Sequence, residues 1–382
     1  MKILCATQFF PPSVGGMQVS NSLLLEGLAK AGVEIELLVF SDFPEPLLSE
    51  PLYKAKVILA DLTQLRNQLT CAKTIIRHAS AFRPDVILLL DDGVVRALGF
   101  WPFKRNLNFN IVSINSGSTL TRENKHFRGR VNSYFVKRGY GWLDLIFVAD
   151  ETAADLRASF PVFADRIKVM GRPIPDSFFG YGCPEHKDLI SGSQLPILFS
   201  CSRADERKGL QLVLHALAIL RDRRGQEVVR LIHAGNGPAL AFWRQLATSL
   251  KLRNVDFVGK VPFSEIKKYY SSSYMCILPS IYVGESFGRT WVEAFACGKP
   301  VISTQIANLR YLVRDNENGI VILPDPLDIC RGIEHALDMP AGDYATMSRR
   351  SYETALQYKQ SVITSKLINE LKDLNDTTAS CS

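Results

Sequence analysis

No two of the eight cysteines stand in a Cys-x-x-Cys pair, and several, such as Cys5, Cys201 and Cys276, sit inside apolar runs. A Cys-x-x-Cys redox motif is thereby excluded, and a reducing, cytoplasmic setting is expected. No stretch approaches the roughly 20 apolar residues of a membrane span. The apolar start stops at Pro11-Pro12, too short for a signal peptide. Asp-x-Asp pairs and clusters of metal ligands are absent. The glycine loop after the first strand lacks the Gly-x-Gly-x-x-Gly spacing, which speaks against a nicotinamide dehydrogenase. Short repeats, low-complexity segments and recognised nucleic-acid modules are also missing. Charged residues make up only 22% against 47% hydrophobic ones, which excludes a largely disordered chain, and 382 residues exceed one ordinary core.

What is present is an alternation of strand-like and helical runs, the pattern of parallel α/β sheets. Strands are predicted at 3–7, 34–40, 85–90, 110–114, 145–149 and 167–170, separated by helical patterns at 17–31, 64–81, 127–140 and 151–159. A polar, Gly-rich stretch from Gly180 to Gln194 interrupts the series. A second series then places strands at 197–201, 228–233, 255–258, 275–278, 301–303 and 319–321, with helices between them, and the chain reads as wholly helical from about Leu327. The expectation is α/β with two doubly wound domains, 1–172 and 195–357, a linker at 173–194, and a C-terminal helix at about 358–382 that returns to the first domain.

Open sheets of this kind bind ligands at the carboxyl ends of their strands. The most informative segment lies there: Gly284-Glu285-Ser286-Phe287-Gly288-Arg289-Thr290-Trp291-Val292-Glu293, continuing to Gly298-Lys299-Pro300. It reads as a loop that opens a helix from about Phe287 to Cys297, with Gly298 at the C-terminal cap and Pro300 preventing continuation. Glu293 is expected to lean back toward the Glu285 loop, and the N–H groups of Gly288, Arg289 and Thr290 to face outward. Such a site holds a phosphate at the helix end and sugar or ribose hydroxyls at the carboxylates. Taken alone, two glutamates eight apart are more often a solvated face.

Two further loops end strands. Gln8 to Gly16 runs into a helix with Gly15 and Gly16 at its start, which suits close approach to a phosphate or serves a plain turn. Ser202-Arg203-Ala204-Asp205-Glu206-Arg207-Lys208-Gly209 offers Arg203 and Lys208 to a diphosphate, or simply carries surface charge. The loop His233-Ala234-Gly235-Asn236-Gly237 ends a strand as well. Between Lys104 and Arg138 eight basic residues face the single acid Glu123, with Phe127, Tyr134, Phe135, Tyr140 and Trp142 among or after them. Residues 104–142 are either a surface for anionic headgroups or a pyrophosphate-bearing acceptor, or a solvated basic helix whose aromatics face the core.

Together these loops resemble the retaining GT-B glycosyltransferases of glycosyltransferase family 4. The match runs from the Pro-Pro-x-x-Gly-Gly loop through Ser202-Arg203, Lys208-Gly209, Asp256-Phe257-Val258-Gly259 and Leu278-Pro279-Ser280. It ends in Glu285-Ser286-Phe287-Gly288, Glu293-Ala294 and Gly298-Lys299-Pro300-Val301-Ile302. The resemblance implies two facing Rossmann-like domains, the first binding an acceptor and the second a nucleotide-diphosphate sugar. It assigns Arg203 and Lys208 to the donor pyrophosphate with Gly15 and Gly16 beside it. Glu293 falls to the ribose and Glu285 to the transferred sugar, with Ser286, Phe287, Gly288, Arg289 and Thr290 contacting sugar hydroxyls and phosphate through backbone. Catalytic work would rest on Glu285, Arg203 and Lys208 without a metal or other cofactor. One departure stands out: relatives place a histidine after the strand 110–114, where this chain has Asn115-Ser116-Gly117-Ser118. His126 is near in sequence only, and a lone histidine is usually structural.

The implied activity is hexosyl transfer with retention to a hydroxyl of a glycan precursor, lipid-linked polysaccharide or glycolipid, by a cytoplasmic enzyme attached peripherally to the inner membrane face and not bound to nucleic acid. The alternatives are a non-catalytic nucleotide-sugar-binding scaffold and a same-fold phosphorylase or sugar-phosphate synthase.

Overall fold

The computed structural model describes residues 1–11, 15–41, 52–60, 62, 64–101, 109–114, 127–180, 195–282, 287–306 and 309–380. The chain divides into two compact units, one formed by Met1–Pro173 with Gln360–Ser382 and the other by Ile174–Lys359. Of the segments named above, Glu285, Ser286, residues 115–118, His126, Lys104, Arg105, Arg122, Lys125 and the linker positions 181–194 lie outside the described residues.

In the first unit β1 (Lys2–Thr7), β2 (Glu34–Ser41), β3 (Lys54–Leu59), β4 (Val86–Leu89), β5 (Asn110–Ile114), β6 (Leu145–Val148) and β7 (Ile167–Val169) form one sheet in the order β3-β2-β1-β4-β5-β6-β7. Every pairing is parallel. Parallel strands are covered on both faces, which is why β4 and β6 are continuous apolar runs buried along their whole length. Period-two alternation sorts their side chains. Leu4, Ala6, Leu38, Ile87 and Leu89 face one core, while Ile3, Cys5, Leu37, Val86 and Leu88 face another, completed by Leu24 and Leu28 of the helix Gly16–Lys30. The same second core takes Ile363, Leu367 and Leu371 from the helix Gln360–Ser380.

In the second unit β8 (Ile197–Cys201), β9 (Arg230–Ala234), β10 (Val255–Gly259), β11 (Met275–Leu278), β12 (Val301–Thr304) and β13 (Gly319–Ile322) form a parallel sheet in the order β10-β9-β8-β11-β12-β13. In both sheets the strand order reverses beside the first strand, between β1 and β4 and between β8 and β11. Those are the two topological switch points, where diverging connections leave a crevice.

Among the described residues one strand and two α-helices escape the sequence pattern. Strand β3 is half-exposed and alternates lysine with apolar residues, so it reads as loop until β2 pairs with it. The helix Asp92–Gly99 begins immediately after β4, started by the Asp91 carboxylate, which accepts from the N–H groups of Gly93 (2.9 Å) and Val94 (3.1 Å). The helix Leu309–Leu312 is a single turn, too short to show a period. In the basic segment Tyr140 and Trp142 are buried, whereas Tyr134 is 62% exposed on the helix Phe127–Tyr140.

Candidate functional site

The strand-end loops of the second unit are tied together by their backbones. On one side of β8, Ser202 N–H donates to Ala234 O (3.1 Å), Ala204 N–H to Asn236 O (3.0 Å) and Gly235 N–H to Gly259 O (2.7 Å), linking the loops after β8, β9 and β10. On the other side, Ile281 N–H donates to Arg207 O (2.9 Å), joining the loop after β8 to the loop after β11 across the switch point. The Trp291 indole N–H donates to Ser303 Oγ (2.7 Å), which in turn donates to Leu278 O (3.3 Å). The helix Arg289–Ala296 is thereby anchored to the ends of β11 and β12. Arg203 and Lys208 follow the carboxyl end of β8, and Phe287, Gly288, Arg289 and Thr290 that of β11, with Glu293 one turn into the helix.

Asp205 organises the cations of the first loop. Its carboxylate caps the short 3-10 turn Glu206–Lys208 by accepting from Arg207 N–H (3.0 Å), and it takes both arms of the Arg207 guanidinium, Nε at 2.8 Å and Nη2 at 2.6 Å. The Arg207 side chain, then its backbone N–H, holds the Asp205 carboxyl well below the usual carboxylate range. The same guanidinium lies over the Tyr282 ring, 4.7 Å from its centroid. Arg207 is thus committed to the loop's own structure, while Arg203 is exposed and Lys208 is half-buried.

Gly209 closes the turn at φ +75°, and a methyl placed there would overlap the carbonyl oxygen of Pro279 in the loop after β11. Gly209→Ala is therefore expected to destabilise the second unit by roughly 3 kcal/mol, from the left-handed backbone and the clash together. Urea unfolding checks this, and an unchanged midpoint would refute the close approach.

Gly288 sits in the left-handed region at φ +73°, so the helix opens at Arg289 and not at Phe287. Phe287 lies edge-on to Tyr358, with centroids 5.3 Å apart. Glu293 is buried and engages both of its oxygens: Oε1 accepts from Arg289 Nε at 2.7 Å, and Oε2 accepts from the Tyr270 hydroxyl at 3.0 Å. Burial, with the nearby Cys201 and Glu293, raises the Tyr270 hydroxyl well above its ordinary range, so it stays a donor. Burial likewise pushes the Cys201 thiol up to about 12. The Tyr270 contact carries no sequence signal, because it joins two helices 23 positions apart.

Gly15 and Gly16 belong to the first unit, at the start of the helix Gly16–Lys30. Gly15 is extended and Gly16 exposed. Beneath that loop lies a network the sequence reading did not single out. Asp91 is buried at the β1/β4 switch point and accepts from Thr7 Oγ1 (2.9 Å), Gln8 N–H (2.6 Å) and Gln8 Nε2 (3.1 Å), besides the two helix N–H groups. Asn21 Nδ2 donates to Thr7 Oγ1 (3.2 Å) and Phe9 O (2.9 Å). Burial raises the Asp91 pKa, opposed by these donors. With five donors aimed at it, Asp91 fixes the loop after β1. The available hint was Asp91-Asp92-Gly93 directly after an apolar run.

Two family profiles cover most of the chain: "Glycosyltransferase Family 4" matches residues 14–178 and "Glycosyl transferases group 1" matches residues 184–354. The chain belongs to the family 4-like GT-B glycosyltransferases. Among curated proteins, this glycosyltransferase is 22% identical over 362 residues to an uncharacterized glycosyltransferase of Methanocaldococcus jannaschii, covering 88% of this chain and 89% of that protein. It is 31% identical over 163 residues to alpha-monoglucosyldiacylglycerol synthase of Streptococcus pneumoniae, a match spanning 42% of this chain and 36% of that protein. Among solved structures, HepE of Anabaena in complex with UDP superposes with a TM-score of 0.78 at 18% identity, covering 98% of this chain and 100% of that one. The glycosyltransferase therefore has two Rossmann-like domains of the GT-B type and a helical C-terminal tail.

Proposed function

We propose that the enzyme moves a hexosyl group, with retention and without a metal, from a nucleotide-diphosphate sugar to a hydroxyl of a lipid-linked glycan precursor or glycolipid. One observation carries this: the Arg203–Lys208 loop and the start of the helix Arg289–Ala296 flank a single topological switch point, β8 against β11. Cations and a helix N-terminus gathered there suit a diphosphate, and the Glu293 carboxylate suits ribose hydroxyls. A structural neighbour described as a complex with UDP supports a nucleotide donor. A relative named as a glucosyldiacylglycerol synthase supports a lipid acceptor. Among the described residues no helix is long and apolar enough to cross a membrane, so a lipid acceptor would be met at a surface, and residues 104–142 are the proposed contact.

In the reaction the bond between the anomeric carbon and the diphosphate oxygen breaks, and the leaving diphosphate gains negative charge. Arg203, Lys208 and the helix N-terminus would stabilise that charge. The acceptor hydroxyl attacks on the face the diphosphate leaves, and a diphosphate oxygen takes its proton, so no acceptor-side histidine is required. Glu285 would lie at the transferred sugar, and the backbone of residues 286–290 at sugar hydroxyls and phosphate.

The test is nucleotide release from UDP-, GDP- and ADP-sugars with and without a membrane-lipid extract, for wild type and Glu285→Ala. Release with one donor, enhanced by lipid and lost in the variant while nucleotide binding persists, is the expected result. Wild-type turnover by Glu285→Ala would refute the assignment of Glu285. Free sugar phosphate as product would favour a phosphorylase or sugar-phosphate synthase, and binding without release from any donor would favour a scaffold.

A further inference from the structure

Glu293 is held from two sides by groups that differ in kind. Arg289, one turn earlier on its own helix, supplies a charge-assisted bond at 2.7 Å to Oε1 of the buried carboxylate. Tyr270 reaches in from the helix Phe263–Ser272 to Oε2 at 3.0 Å. Its ring is fully buried, T-shaped on Phe199 (centroids 5.1 Å) and tilted against Phe178 (6.3 Å), which fixes where the hydroxyl oxygen lies. The Arg289 guanidinium in turn lies over Phe263 of that same helix, 5.4 Å from the ring centroid. One helix thus braces both contacts.

A carboxylate accepts about four hydrogen bonds, two on each oxygen. One donor on each oxygen fixes the carboxylate plane and leaves one lone-pair site per oxygen, enough for a pair of adjacent hydroxyls. Arg289 alone would hold one oxygen and leave the group free to turn about that bond.

We propose that Tyr270 is a positioning residue that sets the plane of the Glu293 carboxylate so that it accepts from the ribose hydroxyls of the donor nucleotide. This rests on the nucleotide-sugar reading of the site. It separates two neighbouring residues by role: Glu293 would touch the ribose, and Tyr270 would act only through it.

The experiment measures, by calorimetry, the affinity of the nucleoside diphosphate identified in the release panel and of its 2′-deoxy and 3′-deoxy analogues, for wild type, Tyr270→Phe and Glu293→Gln. Wild type is expected to bind the ribose form roughly 10-fold more tightly than the deoxy forms, the usual effect of a hydrogen bond to a charged group. In Tyr270→Phe that ratio should fall to about 3-fold or less, with affinity for the deoxy forms unchanged. The ratio is taken within each variant, so partial loss of active protein does not alter it, and a purely structural role for Tyr270 would leave it at the wild-type value. An unchanged ratio in Tyr270→Phe, with a collapsed ratio in Glu293→Gln, would overturn the positioning role and spare the ribose contact. No ribose preference in wild type would overturn both, and no nucleotide binding at all would overturn the donor site itself.

Discussion

Arg203→Ala is expected to lower kcat/KM by roughly 100- to 1000-fold, the range seen when one preorganised donor is removed from a site of developing negative charge. The effect should be divided. A bound diphosphate already carries charge in the ground state, so part of the loss raises the donor KM. The further charge that appears as the glycosidic bond breaks is felt only in the transition state, so the rest lowers kcat. Because Arg203 is exposed, its removal should change stability by less than about 0.5 kcal/mol. Initial rates across donor concentrations, with a melting temperature for each protein, check both halves. Near-normal rates in a stable variant would reduce Arg203 to surface charge. Lys208 shares the loop and the proposed ligand, so the double variant should fall short of the product of the two single effects.

A second large effect is expected from pH. His233, at the end of β9, is fully buried, with Nδ1 3.3 Å from Ser200 Oγ and its ring edge-on to Trp243 (5.2 Å). Among the described residues Nε2 has no hydrogen-bond partner. Burial lowers the His233 pKa from 6.5 to about 4. Between those two values the unfolded chain takes up a proton that the folded chain does not. Stability is therefore fully present above about pH 6.5, falls as the pH drops through the window, and levels off below about pH 4. The loss should be on the order of 3 kcal/mol, and His233→Leu should not show it. Urea unfolding of both proteins at pH 7 and pH 4 measures the change in the gap between them. A gap that stays constant would mean that His233 titrates normally.

Much of this architecture is written in local pattern. The strands Asn110–Ile114, Ile197–Cys201 and Met275–Leu278 coincide with the mostly apolar runs that predict them, because strands covered on both faces are predominantly apolar. Strand β3 is hidden for the opposite reason: an edge strand has one neighbour and keeps its lysines in water. In the candidate site, Arg203, Lys208 and Glu293 stand out through strand-end loops taken together with the family resemblance, since each alone reads as ordinary surface charge. The contacts that brace each unit's loops are not local. In the first unit Asp91 meets Gln8 across 83 positions, and in the second Tyr270 meets Glu293 only once two helices have packed. The helix start at Arg289 instead of Phe287 turned on one backbone torsion, that of Gly288.

The first unit is assembled from two separate pieces of chain, with the whole of the second unit encoded between them. During synthesis the apolar surface formed by Leu24, Leu28 and Leu37 must therefore wait, uncovered, while nearly half the protein is made, until Ile363, Leu367 and Leu371 arrive. The second unit is contiguous and has no such delay. The usual order of folding on the ribosome, N-terminal domain first, is expected to be reversed for completion here, and the interval before residues 360–380 appear is when the nascent chain is most exposed to aggregation and to chaperones.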